Sequence, residues 1–493
     1  MMLPPSLEEL IDKNHPVRIV NQVIDRIDID PLIKKFKGGG TSSYHPRMLL
    51  KVLVYGYLNN TYSSRRMESA LKENIHFMWL AGMNKPDHNT INRFRSERLK
   101  DVLKTVFGKV VELLVEAGHL DLKEIYTDGT ILEAQANRYT FVWGKSIKKN
   151  KAKIEEQLKE LWEYAERIAT EELKEEAPES FSAVNAEQVK NTIEKIDKAL
   201  EGRKIDKEQR QKLNYAKKHW PDNMVRYAQQ EKILGQRNSY SKTDYDATFM
   251  RMKDDHMKNG QLKPGYNIQL SSHDQFVVNY SLHQNPTDTR TLKSHLQSYY
   301  SLYGQYPSVL VADAGYGSEE NYTLLKRKKI EGYVKHNQFD REQNPRRYID
   351  WFRTENLEYD KKEDLVYCPI GEPMKRIGEA TRKNESGFKK KYTVYQASKC
   401  KNCPVRDVCH PQIGNRIVEV NHRLRKMKEG VNAKLTSQQG VAYRKKRPVD
   451  IEPVFAQLKH NKNFKRFMLR GLKKVEIETG LLVIAHNLSK LAG

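Results

Sequence analysis

The chain predicts a mixed α/β protein: a helical first quarter, then short apolar strands alternating with helices, interrupted twice by long segments of different character. Three observations carry that expectation. Met48 to Leu58 is a nearly unbroken apolar run of helix length. Ile125-Tyr126-Thr127-Asp128-Gly129-Thr130 and Val309-Leu310-Val311-Ala312-Asp313 have the length and composition of strands, the first turning at Gly129 and the second entering Ala314-Gly315. Between them, Ile154, Leu158, Leu161, Ala165 and Ile168, then Val189, Ile193, Ile196 and Leu200, recur at helical steps.

Taken in order, residues 1–120 read as helices. The basic stretch Pro86–Arg95 has either a helix-turn-helix reader or a plain oligomerisation helix as its explanation. Residues 121–144 hold the first strand. Residues 145–240 read as an antiparallel helical hairpin that breaks at Glu175–Ser180. In 241–336, Gly265–Leu270 and Phe276–Leu282 flank a polar turn as a β-hairpin. A helix from Thr289 to Tyr303, the Asp313 strand, a helix from Ser318 and the strand Gly332–Lys335 follow. Residues 337–440 form a second, Cys-containing insertion, and 441–493 close the chain with helices. The succession β, β, β, α, β, α, β and a last helix is that of an α/β ribonuclease-H-like catalytic core. Here it carries an N-terminal helical domain and two insertions. In that topology Asp128 and Asp313 end neighbouring strands.

A net charge of +24 favours a polyanionic partner, whether DNA or, as for ribosomal proteins, RNA. The sequence offers neither an apolar run of membrane-spanning length nor a signal-peptide layout at Met1–Glu9, so a cytoplasmic, nucleoid-associated protein is expected.

Asp128, Asp313 and Glu452, the last opening Ile451-Glu452-Pro453-Val454-Phe455, are the candidate catalytic residues. Three clustered carboxylates repel unless cations neutralise them, and hard oxygen donors suit magnesium or manganese. Two ions roughly 3.5–4 Å apart would serve attack and departure in phosphoryl transfer. Taken singly, each acid also has a plain explanation, as a turn residue or as a helix-start carboxylate. Asp244, Asp246, Asp254, Asp255 and Asp288 compete for the same role.

With these residues the chain resembles the bacterial insertion-sequence transposases of the DDE superfamily, in the branch with a Tyr-Arg-Glu-Lys signature. The matching stretches are Thr127–Thr130, Ala312–Gly317, Ile451–Phe455 with Lys459, Phe467–Leu472 and Ala485–Leu488, besides the N-terminal helical region. The resemblance implies a metal-binding triad of Asp128, Asp313 and Glu452, with Lys459 on DNA phosphate. Arg447 and Tyr443 stand one residue off the usual spacing, and Pro448 takes the expected arginine position. It further implies cleavage of element ends, joining of 3′-hydroxyls to target double-stranded DNA, and a homodimer that synapses two ends. Arg93 and Arg95 are the expected N-terminal DNA contacts. A nuclease without strand transfer and a non-catalytic DNA-binding relic are the rival readings.

Cys400-x2-Cys403-x5-Cys409 with Cys368 upstream has the ligands for one structural zinc, His410 being a substitute ligand, or for four reduced thiols. Lys389-Lys390-Lys391 and Arg444–Arg447 are either solvated faces or backbone contacts. Trp143, Trp351 and Phe352 are either core or base-stacking residues.

Overall fold

The computed structural model describes residues 6–34, 44–169, 173, 180–252, 260–346 and 348–493. Its centre is a mixed sheet in the order β6-β5-β1-β7-β8, where β1 is Glu124–Glu133, β5 Leu262–His273, β6 Phe276–His283, β7 Val309–Ala312 and β8 Glu331–Val334. A further strand, β4 (Thr248–Arg251), shares the outer edge of β5 with β6. Strand β5 runs antiparallel to both β1 and β6, whereas β1, β7 and β8 are parallel. Helices Leu292–Tyr303 and Glu319–Arg327 make the crossovers that parallel strands need.

Strand β1 does not turn at Gly129 as expected but continues four residues beyond it. Gly129 pairs with Gln269 inside the ladder. A Cβ there would meet the Gln269 amide and lie 2.6 Å from Asp288 Oδ1, so the glycine allows a close approach rather than a turn.

The N-terminal helices do not form a core of their own. Pro16–Arg26, Pro46–Leu58 and Leu103–Glu116 share one continuous apolar cluster with the sheet and the last helix, Leu472–Ala492. Buried Glu478 of that helix accepts hydrogen bonds from Tyr57 Oη (3.0 Å) and from the backbone N–H groups of Met468 (2.9 Å) and Leu469 (2.8 Å). The expected basic helix starts at Asp87, whose side chain caps Thr90, and runs from His88 to Arg93. It then widens into a π turn, Phe94–Arg98.

Among the described residues the first interruption holds three long helices rather than a hairpin: Gly144–Ile168, Ala186–Ala199 and Lys207–Leu234. The third keeps Leu213, Ala216, Trp220, Met224 and Tyr227 on one face across Pro221, and joins Leu158, Leu161, Ile193 and Ile196 in a separate core. Leaving and returning, the chain passes through a two-stranded stem, β2 (Phe141–Trp143) against β3 (Ser239–Ser241). Apart from Ser180, the expected break at Glu175–Ser180 lies outside the described residues.

The second interruption is a five-stranded antiparallel sheet: β9 (Tyr359–Asp360), β10 (Leu365–Tyr367), β11 (Pro373–Lys383), β12 (Lys389–Gln396) and β13 (Ile417–Val420). Its small core is built on Val366, Met374, Tyr395 and Val418. Two helices, His422–Thr436 and Gln438–Ala456, return the chain to the central sheet. Among the described residues no helix is long and apolar enough to cross a membrane.

Candidate active site

The parallel register of β1 and β7 ends with Thr127 opposite Ala312. The next residue on each strand is an aspartate, so Asp128 and Asp313 emerge side by side where β7 stops. Asp313 Oδ1 accepts from Gly315 N–H (2.8 Å), capping the 3₁₀ turn Ala314–Tyr316. Asp128 Oδ1 accepts from Gly129 N–H at 2.7 Å. Short side chains leaving a rigid sheet, each fixed by a local N–H, have little freedom to wander.

The third expected acid arrives on helix Gln438–Ala456. Buried Asp450 ties that helix to the β5–β6 turn: it accepts from Ser272 Oγ, Asp274 N–H (2.7 Å) and Gln275 N–H (3.4 Å). Burial raises the Asp450 carboxyl, while these donors and Lys446 pull it back down. Lys446 adds ion pairs to Glu124 and Asp274, each 3.1 Å. Thus pinned, the helix brings Arg447 between two acids. Its Nη1 lies 3.2 Å from Asp128 Oδ2 and its Nη2 3.6 Å from Glu452 Oε1. Glu452 itself is exposed, its side chain 58% open to solvent.

A fourth carboxylate joins them, and sequence reading ranked it only among the competitors. Asp288 opens the 3₁₀ turn before helix Leu292–Tyr303. Its Oδ1 accepts from Asn267 Nδ2 and Gln269 Nε2, both at 2.8 Å. Its Oδ2 lies 3.6 Å from where a Cβ on Gly315 would stand, a point 3.0 Å from Asp313 Oδ1. Below, the buried Tyr316 hydroxyl donates to Gln269 Oε1. Burial drives that phenol well above its ordinary pKa; the charges of Asp288, Asp128 and Asp313 drive it further, and Arg447 opposes them. One buried ring therefore senses three aspartates and one arginine. The signal available in the sequence was Gly129, whose missing side chain makes room for Asp288.

Gly129→Ala is accordingly expected to cost about 1–3 kcal/mol through overpacking, read as a lower urea midpoint. An unchanged midpoint would mean that Gln269 and Asp288 give way freely.

The other competing acids have structural partners. Asp244 accepts from Tyr266 Oη (2.9 Å) and Gly471 N–H (3.2 Å), and Asp246 from Leu472 N–H (2.8 Å), so both hold the start of the last helix. Asp254 and Asp255 lie outside the described residues.

The expected DNA contacts divide. Arg93 is exposed. Arg95 is 3% exposed, donates to Tyr62 O (2.7 Å) and Tyr57 Oη (3.3 Å), and offsets the charge of buried Glu478. The π turn after Arg93 rotates it inward, which a regular helical reading does not foresee. Lys459 is 6% exposed, on a second π turn, Gln457–Asn461. Neither buried cation is presented to a phosphate in this conformation. Tyr443 packs on Tyr333 with ring centroids 4.6 Å apart, and Arg447 is engaged by the acids. Trp143 packs against Phe141 and Phe249, Phe352 is half-buried, and Trp351 is exposed.

Among the described residues no group of three or more His, Cys, Asp or Glu side chains converges on one ion position. The four cysteines form no such group. Cys400 Sγ accepts from Arg416 N–H (3.4 Å) and Cys409 Sγ from Arg416 Nη1 (3.0 Å), while Cys368 and Cys400 also pack on the small core. None of the four is in a disulfide. For the acids, the all-oxygen donor set is that of magnesium or manganese. The Arg447 guanidinium supplies between Asp128 and Glu452 the positive charge such an ion would bring.

A family model described as a transposase DDE domain matches residues 367–492, which include Glu452 and Arg447. A second, described as a transposase domain (DUF772), matches residues 5–97, the N-terminal helices. Asp128 and Asp313 fall between the two. No curated protein and no solved structure matches. A transposase model at each end of the chain supports a bacterial insertion-sequence transposase of the DDE superfamily.

Proposed function

We propose that this transposase cuts the ends of its element and joins the freed 3′-hydroxyls to target DNA, using a ribonuclease-H-like core. The observation that carries the reading is the emergence of Asp128 and Asp313 side by side where β7 stops, with Glu452 joined to Asp128 through Arg447 on a pinned helix. The sheet order and strand directions support the fold assignment. When bound, magnesium or manganese supplies activation of the attacking oxygen and stabilisation of the leaving one. Asp128, Asp313 and Glu452 would hold it, with Asp288 beside them.

The chain's own residues set the rest. Asp128 and Asp313 are already aimed, so little reorganisation is needed on the strand side. Arg447 must release both carboxylates before they take a metal, and a freed guanidinium is well matched to a phosphate oxygen pair. Glu452, exposed on its helix, is the arm able to move. Synapsis of two ends calls for at least two copies of the chain on DNA.

The test supplies purified protein with element-end duplex, a target plasmid and magnesium. Joined product supports the reading, nicking without joining supports a nuclease, and metal-independent binding alone supports a DNA-binding relic. In the same assay Asp288→Asn should slow single-turnover cleavage roughly 10–100-fold, the equivalent of about 1.5–3 kcal/mol for disturbing a hydrogen-bonded charge. A wild-type rate would make Asp288 a scaffold for Gln269 only.

A further inference from the structure

Strands β11 and β12 extend past the sheet that contains them. Their other neighbours pair only near the base, β10 at Pro373 and Met374 and β13 at Thr393–Gln396. Beyond those positions the two strands form a free two-stranded ribbon, registered as Thr381↔Lys391, Arg382↔Lys390 and Lys383↔Lys389.

Opposed residues in an antiparallel pair share a face, and like charges directly opposite each other are destabilising. This ribbon places such a pair on each face. Lys383 and Lys389 stand opposed on one, with Lys391 two residues along; Arg382 and Lys390 stand opposed on the other. Arg382 is relieved by Glu419 of β13. Among the described residues no carboxylate pairs with Lys383, Lys389 or Lys391, and all three are exposed.

The ribbon's tip is not adrift. Asn384 Nδ2 donates to Glu320 Oε2 (2.8 Å) and Ser386 Oγ donates to the same carboxylate at 2.7 Å, while Glu385 pairs with Arg290. Glu320 lies in the first turn of the helix that follows Asp313, and Arg290 in the turn that Asp288 opens. Thr289 of that turn donates to Gly315 O (2.8 Å), so both anchoring segments belong to the candidate active site.

We infer that the Lys383–Lys389–Lys391 face of this ribbon is a docking surface for the phosphate backbone of duplex DNA, laid beside the active site by the docked tip. The unrelieved repulsion is tolerated because a polyanion cancels it. This rests on the proposed reading of the site and names the surface along which its substrate lies.

The test measures duplex affinity against salt, and thermal melting, for the full-length Lys383→Gln/Lys389→Gln/Lys391→Gln variant, with a triple Lys→Arg variant as the charge-keeping control. Losing three phosphate contacts should make the log–log salt slope shallower by about 2.7 and weaken binding by roughly two orders of magnitude near 0.1 M salt. The melting point should hold or rise, since repulsion is removed. The Arg control should keep wild-type slope and affinity. An unchanged slope in the Gln variant, or a lost slope that the Arg variant shares, overturns the inference. If wild-type protein still joins ends while the Gln variant binds normally, only the ribbon's role falls. If wild-type protein neither binds duplex nor joins it, the reading of the site falls with it.

Discussion

Asp128→Asn, Asp313→Asn and Glu452→Gln should each reduce metal-dependent cleavage and joining by about 10³-fold or more, while duplex binding stays within a few-fold of wild type. Each substitution removes one anionic oxygen and almost no volume, so the fold is not asked to change. The three are not equivalent, however. In Asp128→Asn and in Glu452→Gln, Arg447 loses one of its two anionic partners. Both should therefore leave the guanidinium freer for phosphate, and bind DNA slightly more tightly than Asp313→Asn does. Single-turnover cleavage and a binding titration on the same duplex separate the two effects. Cleavage above a tenth of the wild-type rate in any one variant would remove that residue from the catalytic set.

The largest expected loss of stability lies far from the chemistry. Glu478→Ala should lower unfolding stability by about 3–5 kcal/mol, the range for removing one partner of a buried, hydrogen-bonded charge pair. Glu478 is fully buried, and its carboxyl is pushed up by desolvation while Arg95, the Leu469 and Met468 N–H groups and Tyr57 hold it down. Without it, Arg95 keeps its charge in the interior and three donors lose their acceptor. Glu478→Gln, which keeps the shape and one acceptor oxygen, should fall between the two. Urea unfolding of the intact chain reads the difference. A loss below about 1 kcal/mol for the alanine variant would show that solvent or neighbouring groups replace the carboxylate at once.

What the sequence revealed, and what it hid, follows from the range of the interactions involved. Strands β1, β5, β6, β7 and β8 were legible because composition and period are local signals; Asp313 was legible as the residue closing β7, whereas Asp128 lies inside β1 rather than at its end. The third helix of the first insertion was obscured by Pro221, a breaker that the long helix accommodates. Gly129 read as a turn because glycine usually is one; its true reason, the Asp288 carboxylate, comes from 159 residues further along and is invisible to local reading. Arg95 and Lys459 are buried for a common cause. Each lies in a π turn, where one extra residue rotates the face that a regular helix would present. The cysteine spacing suggested a ligand set, but it could not show that Arg416 donates to both Cys400 and Cys409.

The paired stem of β2 and β3 bears on how the polypeptide is wired. Since Trp143 sits opposite Ser239, the excursion between them begins and ends at one place, and it carries its own apolar interior. Replacing everything between those two positions with a tight two-residue hairpin should therefore leave the path of the surrounding chain unaltered. Taken together with its two stem strands, Phe141 to Ser241 closes on itself through that ladder and has the makings of an autonomous mini-protein. In assembly terms, the stem lets a long detour be ordered early and locally, before the distant strands that flank it have found each other.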